Sequence, residues 1–262
     1  MSYQGGKQKI GKKIYKVIDA IEEYFEGDER LDYMEPFIGF CGVIKHFGAE
    51  DTDRKLFGYD LNKDIIKMWK STQNGWKPPT KCTKKRYEEL KNSKKVSAER
   101  GFIGVACSYS GIFFVGYRGT QTFKQQNKTK TVNSAAMTAR SVNKIAKMIE
   151  NVKFKVSNYI NLKPDNMLIY CDPPYKSNDY GQSDFFHFDT DLFWDIMRDW
   201  SKYNIVIISE YTAPKDFKCI WKNELNIIHH GKTNKRTEKL FIHNTLYKNI
   251  DNKTKNYIRN IN

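Results

Sequence analysis

The sequence predicts an α/β fold, a Rossmann-like and mostly parallel sheet with helices on both faces. Three observations carry this. Residues 32–38 read as a strand running into a turn that holds Gly39 and Gly42, and residues 55–60 read as a second strand ending on an acid, Asp60. Strands are expected again at 152–156, 167–171 and 204–209, with a helix over about 190–202. Strand, turn, helix, strand and acid, in that order, open a doubly wound sheet.

The remaining elements follow from periodicity. Ile10, Ile14, Val17, Ile18, Ile21 and Phe25 recur at helical spacing over 10–25, and Gly27-Asp28 punctuate. A helix is expected from about Gly42 and another over 62–72. Residues 73–132 differ in character: Pro78-Pro79, many lysines, a short expected strand near 102–107, and a glycine- and aromatic-rich stretch, 110–119, read as an exposed hairpin or loop. Residues 134–150 are helical by pattern. Two apolar stretches, 225–229 and 240–243, flank the basic run 231–236, which reads as an antiparallel hairpin with a charged loop. The Asn/Lys-rich end, 249–262, is expected to be frayed.

Bulk properties narrow the partners. The 262 residues carry 45 Lys+Arg against 30 Asp+Glu, a net charge of +15. Such a surplus favours a polyanion, nucleic acid first. Lysine and asparagine are spread throughout, so charge alone does not decide the matter. The five cysteines, Cys41, Cys82, Cys107, Cys171 and Cys219, include no C-x-x-C pair. Neither a metal site nor a disulfide framework is expected, and a reducing, cytoplasmic compartment is. No apolar segment at the N-terminus suggests a secretory signal, and no run approaches the ~18 residues of a membrane span.

The chemistry concentrates in three motifs. Asp172-Pro173-Pro174-Tyr175 follows an apolar strand, so it sits where open α/β sheets bind ligands. Two prolines stiffen the loop and leave its carbonyls as acceptors. Asp172 adds a carboxylate and Tyr175 a flat π-face. Acceptors aimed at the N–H bonds of a ring-attached amine draw its nitrogen toward tetrahedral geometry, and an aromatic face can hold the ring. The second motif, Glu35-Pro36-Phe37-Ile38-Gly39-Phe40-Cys41-Gly42 followed by Asp60, offers close backbone approach to a nucleoside and an acceptor for ribose hydroxyls. The third, Gln4-Gly5-Gly6-Lys7, says little on its own.

In this order, the three motifs resemble those of the Dam-like, D12 class of DNA adenine-N6 methyltransferases, phage enzymes included. The resemblance runs from about residue 3 to 246. Ser108-Tyr109-Ser110-Gly111, Ser209-Glu210-Tyr211 and Arg236-Thr237-Glu238-Lys239-Leu240 also look like family segments. One departure stands out. The second glycine of the family's F-x-G-x-G is Cys41 here, and a shift of the glycine to Gly42 is expected to keep the turn.

The resemblance implies a discontinuous catalytic domain, 1–72 and 151–248, interrupted by a target-recognition module at 73–150. It implies S-adenosyl-L-methionine as cofactor and double-stranded DNA as partner, with no metal, no membrane, and a monomer or weak dimer. Direct transfer to a flipped adenine needs no catalytic cysteine. Gln4, Gly5, Gly6 and Lys7 then border the cofactor, with Glu35, Pro36, Phe37, Gly39, Cys41 and Gly42. Asp60 holds its ribose, and Asn158-Tyr159 and Asp172 complete the pocket. DNA contacts are expected from Tyr109, Tyr117, Arg118 and Lys124, and from Lys232, Lys235 and Arg236 in the late hairpin. Two alternatives stay open at this point: an RNA amino-group methyltransferase, and a non-catalytic DNA-binding protein of the same fold.

Overall fold

A computed structural model describes residues 6–50, 54–125, 128–174, 188–229 and 232–261. The elements run α1 (Gly11–Glu26), β1 (Asp32–Glu35), α2 (Ile44–Glu50), β2 (Leu56–Asp60), α3 (Lys63–Gln73), α4 (Lys84–Asn92), α5 (Ala98–Ala106), β3 (Gln121–Gln125), β4 (Lys128–Val132) and α6 (Ser134–Ala146). Then come β5 (Val152–Val156), β6 (Met167–Cys171), α7 (Thr190–Trp200), β7 (Ile205–Ser209), β8 (Phe217–His229), β9 (Lys232–His243), α8 (Asn244–Asn249) and α9 (Asn252–Arg259).

Seven strands form one sheet in the order β5-β2-β1-β6-β7-β9-β8. The first five are mutually parallel; β9 joins β7 antiparallel and pairs with β8 antiparallel. This is the expected doubly wound sheet. Both faces are covered, as the alternation of buried side chains shows. Tyr33, Leu168, Tyr170, Ile205 and Ile207 join the core built with α1, α2, α3, α5, α6 and α9. Met34, Ile169, Cys171, Val206 and Ile208 face the smaller core of Phe193, Trp194, Met197 and Trp200 on α7.

Three expectations need correction and one, the loop at 110–119, is refined. Residues 102–107 belong to helix α5, capped by Ser97, whose side chain accepts from Arg100 N–H. A short apolar run buried all round has no period of its own, and here packing against α3 selects the helix. The stretch 110–119 is a loop closed by a bridge between Ser108 and Tyr117, and Phe114 is buried in it. The separate hairpin is β3–β4, just after it. The late hairpin is far longer than its apolar stretches, so Lys232, Lys235 and Arg236 lie on β9 and not in a loop. The C-terminal stretch is ordered as α9, capped by Asp251, with Ile250, Ile258 and Ile261 buried against the core. Trp221 Nε1 donates to the Ile261 carbonyl at 2.9 Å. The isoleucines at 250, 258 and 261 are what an Asn/Lys-rich reading overlooks.

Candidate active site

In strand order β1 lies between β2 and β6, the next strands on either side. The connection after β1 therefore runs toward β2 and the one after β6 runs the other way, toward β7, so the loops after β1 and β6 part above the sheet. This is the switch point at which such sheets bind ligands. β1 ends on Glu35, β2 ends on Asp60 and Asp172 directly follows β6, so three carboxylates come to one edge.

The first turn is tied to the neighbouring strand. Ile38 N–H donates to the Tyr59 carbonyl at 2.8 Å, and Gly39 N–H to Asp60 Oδ2 at 3.0 Å. Asp60 Oδ1 accepts from Asn62 N–H at 2.8 Å. Burial raises the Asp60 pKa, and these backbone donors oppose the rise. Trp69 Nε1 donates to the Gly39 carbonyl at 2.9 Å from α3.

The glycine shift is not what keeps the turn. Gly39 has φ +43°, and Cys41 itself takes φ +52° with its side chain fully buried. Gly42 serves a different need, because a Cβ there would come within 3.2 Å of Lys7 N. Gln8 fastens the same segment, donating to the Phe40 carbonyl at 2.6 Å and accepting from Lys45 Nζ at 2.5 Å.

That packing delivers Lys7 to the loop that follows β6. Lys7 is buried, and its Nζ lies 2.7 Å from Asp172 Oδ1 and 3.5 Å from Glu238 Oε2. Pro173 is buried and Pro174 exposed. Glu35 accepts from the Tyr33 hydroxyl at 2.8 Å. Burial, with the Asp172 charge adding to it, pushes the Glu35 carboxyl up to about 8. Burial likewise lifts Glu210, just beyond β7, to about 7. On the far side Phe37 meets Tyr159 with ring centroids 5.1 Å apart, and Phe188 and Phe193 close the aromatic wall. Asn158 caps the short turn that carries Tyr159.

Gly6, Lys7, Glu35, Pro36, Phe37, Gly39, Cys41, Gly42, Asp60, Asn158, Tyr159 and Asp172 thus all fall on the strand ends and connecting segments at this one edge. Gln4, Gly5 and Tyr175 lie outside the described residues. Sequence reasoning gave no role to Glu210 or Glu238, although both stand in segments that carry the family resemblance.

The expected DNA contacts divide. Tyr109 is 54% exposed. Tyr117 is half-buried, its hydroxyl donating to the Cys82 carbonyl at 2.7 Å and its ring packed on Tyr87. Arg118 Nε donates to Gln121 Oε1 at 3.1 Å. Lys235 is exposed beside Glu224, whereas Arg236 Nε sits 3.0 Å from Glu238 Oε1 with its guanidinium over the Tyr211 ring. Lys124 and Lys232 are on β3 and β9, and their side chains lie outside the described set. Among the described residues no group of His, Cys, Asp and Glu is placed to hold a metal ion, and no helix is long and apolar enough to cross a membrane.

Comparison with known proteins adds a family and two structural likenesses. The model of the D12 class N6 adenine-specific DNA methyltransferase family matches residues 3–237. Two solved structures of the rRNA methyltransferase aviRa from Streptomyces viridochromogenes align with TM-scores of 0.38 and 0.37 at 10% and 9% identity. Each alignment covers 90% of this chain and 86% of that one. No curated protein matches the sequence.

Proposed function

This chain belongs to the D12 class of N6 adenine-specific DNA methyltransferases, and from that membership we propose that it methylates adenine at a defined site in double-stranded DNA, by direct transfer to a base turned out of the helix. The methyl donor is S-adenosyl-L-methionine, which supplies an electrophilic methyl group on a sulfonium.

The residues at the switch point suit that donor. Asp60 is a part-exposed acceptor at the end of β2, matched to the hydroxyl donors of a ribose. Phe37 and Tyr159 offer an aromatic wall, and the Gly39 turn permits close backbone approach. Lys7, Glu35 and Asn158 border the same edge.

In this reading Asp172 accepts a hydrogen bond from the N6 amino group, and a carbonyl of the stiff Pro173-Pro174 loop accepts the second. Together they concentrate the nitrogen lone pair and aim it at the methyl carbon. The Lys7 ammonium orients the Asp172 carboxylate, so the acceptor is fixed before the base arrives. Catalysis is then mainly positioning and hydrogen bonding. Flipping the base costs a few kcal/mol. Stacking on Tyr175 returns ~1–3 kcal/mol. Phosphate contacts from the basic surface offset much of the remainder.

The observation that carries this reading is the placing of Asp172, paired to Lys7, at the carboxyl end of β6 beside the β1 turn. Its test is incubation with labelled S-adenosylmethionine and, separately, duplex DNA and RNA. Label recovered as N6-methyladenine from duplex DNA is the expected result. Label in RNA alone would overturn it.

A further inference from the structure

The ion pair of Lys7 and Asp172 continues into the hairpin. Glu238, on β9, is 5% exposed and stands between two cations: Lys7 Nζ at 3.5 Å on Oε2 and Arg236 Nε at 3.0 Å on Oε1. β9 reaches this place because it pairs antiparallel with β7, Leu240 opposite Ser209. The pairing continues past the strand, where Glu210 N–H donates to the Lys239 carbonyl at 3.3 Å. Residues 236–238 therefore lie beyond the carboxyl end of β7, level with the catalytic loop after β6.

A carboxylate this deep is costly, and an apolar side chain of similar volume often serves stability as well or better. Its worth therefore lies in what it holds. An ammonium has three donors on a flexible stem, and one carboxylate cannot fix its direction. Glu238 contacts the Lys7 ammonium in addition to Asp172. We propose that Glu238 is a positioning residue for methyl transfer, fixing the Lys7 ammonium against Asp172, and that Arg236 is its counter-ion and makes no contact with DNA phosphate. This rests on the reading of Asp172 as the acceptor for N6.

The test is a mutant cycle in the full chain, read as single-turnover transfer from labelled S-adenosylmethionine to duplex DNA. Wild-type protein runs first. If it labels no adenine in DNA, the functional reading itself fails, and this inference with it. With active wild type, Glu238→Gln is expected to slow transfer roughly ten-fold while cofactor and DNA affinities stay within about two-fold. Lys7→Met is expected to slow transfer as well, and the double variant to be no slower than Lys7→Met alone. The proposal is overturned if Glu238→Gln slows both backgrounds by the same factor, or if it leaves the wild-type rate within about two-fold. Should the Gln variant lack a cooperative thermal transition, Glu238→Asp replaces it under the same criterion. For the counter-ion, Arg236→Met is expected to leave the salt dependence of DNA binding unchanged. A log–log slope reduced by about one would overturn that part.

Discussion

Asp60 receives the Gly39 N–H at 3.0 Å, which ties the first glycine turn to the acid ending the adjacent strand. One carboxylate thus shapes the turn and presents, in the proposed reading, the acceptor for the cofactor's ribose. Replacing it with Asn keeps the volume and removes the charge. Asp60→Asn is expected to weaken S-adenosylmethionine binding by roughly 10–100-fold, the worth of one or two charged hydrogen bonds. The transfer rate at saturating cofactor should fall much less. Calorimetric titration checks this, and an affinity within a factor of about three would remove Asp60 from the cofactor site.

Cys41 tests the turn from another side. A non-glycine residue in the left-handed region costs roughly 1–2 kcal/mol. Cys41→Ala keeps that cost and loses the buried sulfur, while Cys41→Gly loses the whole side chain and relieves the backbone. We expect the Gly variant to be the more stable of the two, with the Ala variant about 1 kcal/mol below wild type in urea denaturation. The reverse order would show that the positive φ carries no cost.

Glu35 gives stability a pH dependence of definite sign. Burial holds its folded pKa near 8, above the 4.5 of an exposed glutamate. Between those values the folded state binds more protons than the unfolded one, so stability falls as pH rises from about 4.5 to about 8. Glu35→Gln keeps an acceptor for the Tyr33 hydroxyl and cannot ionise. Denaturation at pH 5 and at pH 9 should therefore show a smaller difference for the variant than for wild type. Equal differences would mean that Glu35 is ionised in the fold at neutral pH.

Two tyrosines expected to meet DNA should separate. The Tyr117 hydroxyl is committed to the Cys82 carbonyl, so Tyr117→Phe is expected to cost about 1 kcal/mol of stability and leave DNA affinity alone. Tyr109 is exposed, and Tyr109→Ala is expected to leave stability alone and weaken DNA binding. Anisotropy titration and thermal melts on both variants decide it. A DNA defect in Tyr117→Phe at unchanged stability would reverse the assignment.

These cases show what the sequence makes legible. Period and punctuation gave the parallel strands, because β6 and β7 are short apolar runs each followed by an acid, β1 and β2 end on an acid, and β5 alternates apolar residues with lysine. They failed at α5, where burial on all sides erases the helical period, and at α9, where three isoleucines outweigh the polar residues around them. Spacing placed Asp60, Gly39 and Asp172 at one edge, since each ends or follows a strand. It did not reveal that Lys7 pairs with Asp172 and Glu238. Their partners are remote in the chain, Lys7 and Asp172 being 165 residues apart, and only the sheet order brings them together. Arg236 looked like a loop charge until the length of β9 set it beside Glu238.

The central claim, that Asp172 accepts the amino group of an adenine in DNA, meets its most direct test in the modified nucleoside itself. Wild type and Asp172→Ala are incubated with labelled S-adenosylmethionine and duplex DNA, and the digested DNA is resolved by chromatography. The account predicts labelled N6-methyladenine with wild type, and a loss of roughly 10²–10³-fold or more in Asp172→Ala at nearly unchanged cofactor affinity. Near-normal N6-methyladenine from Asp172→Ala would contradict it.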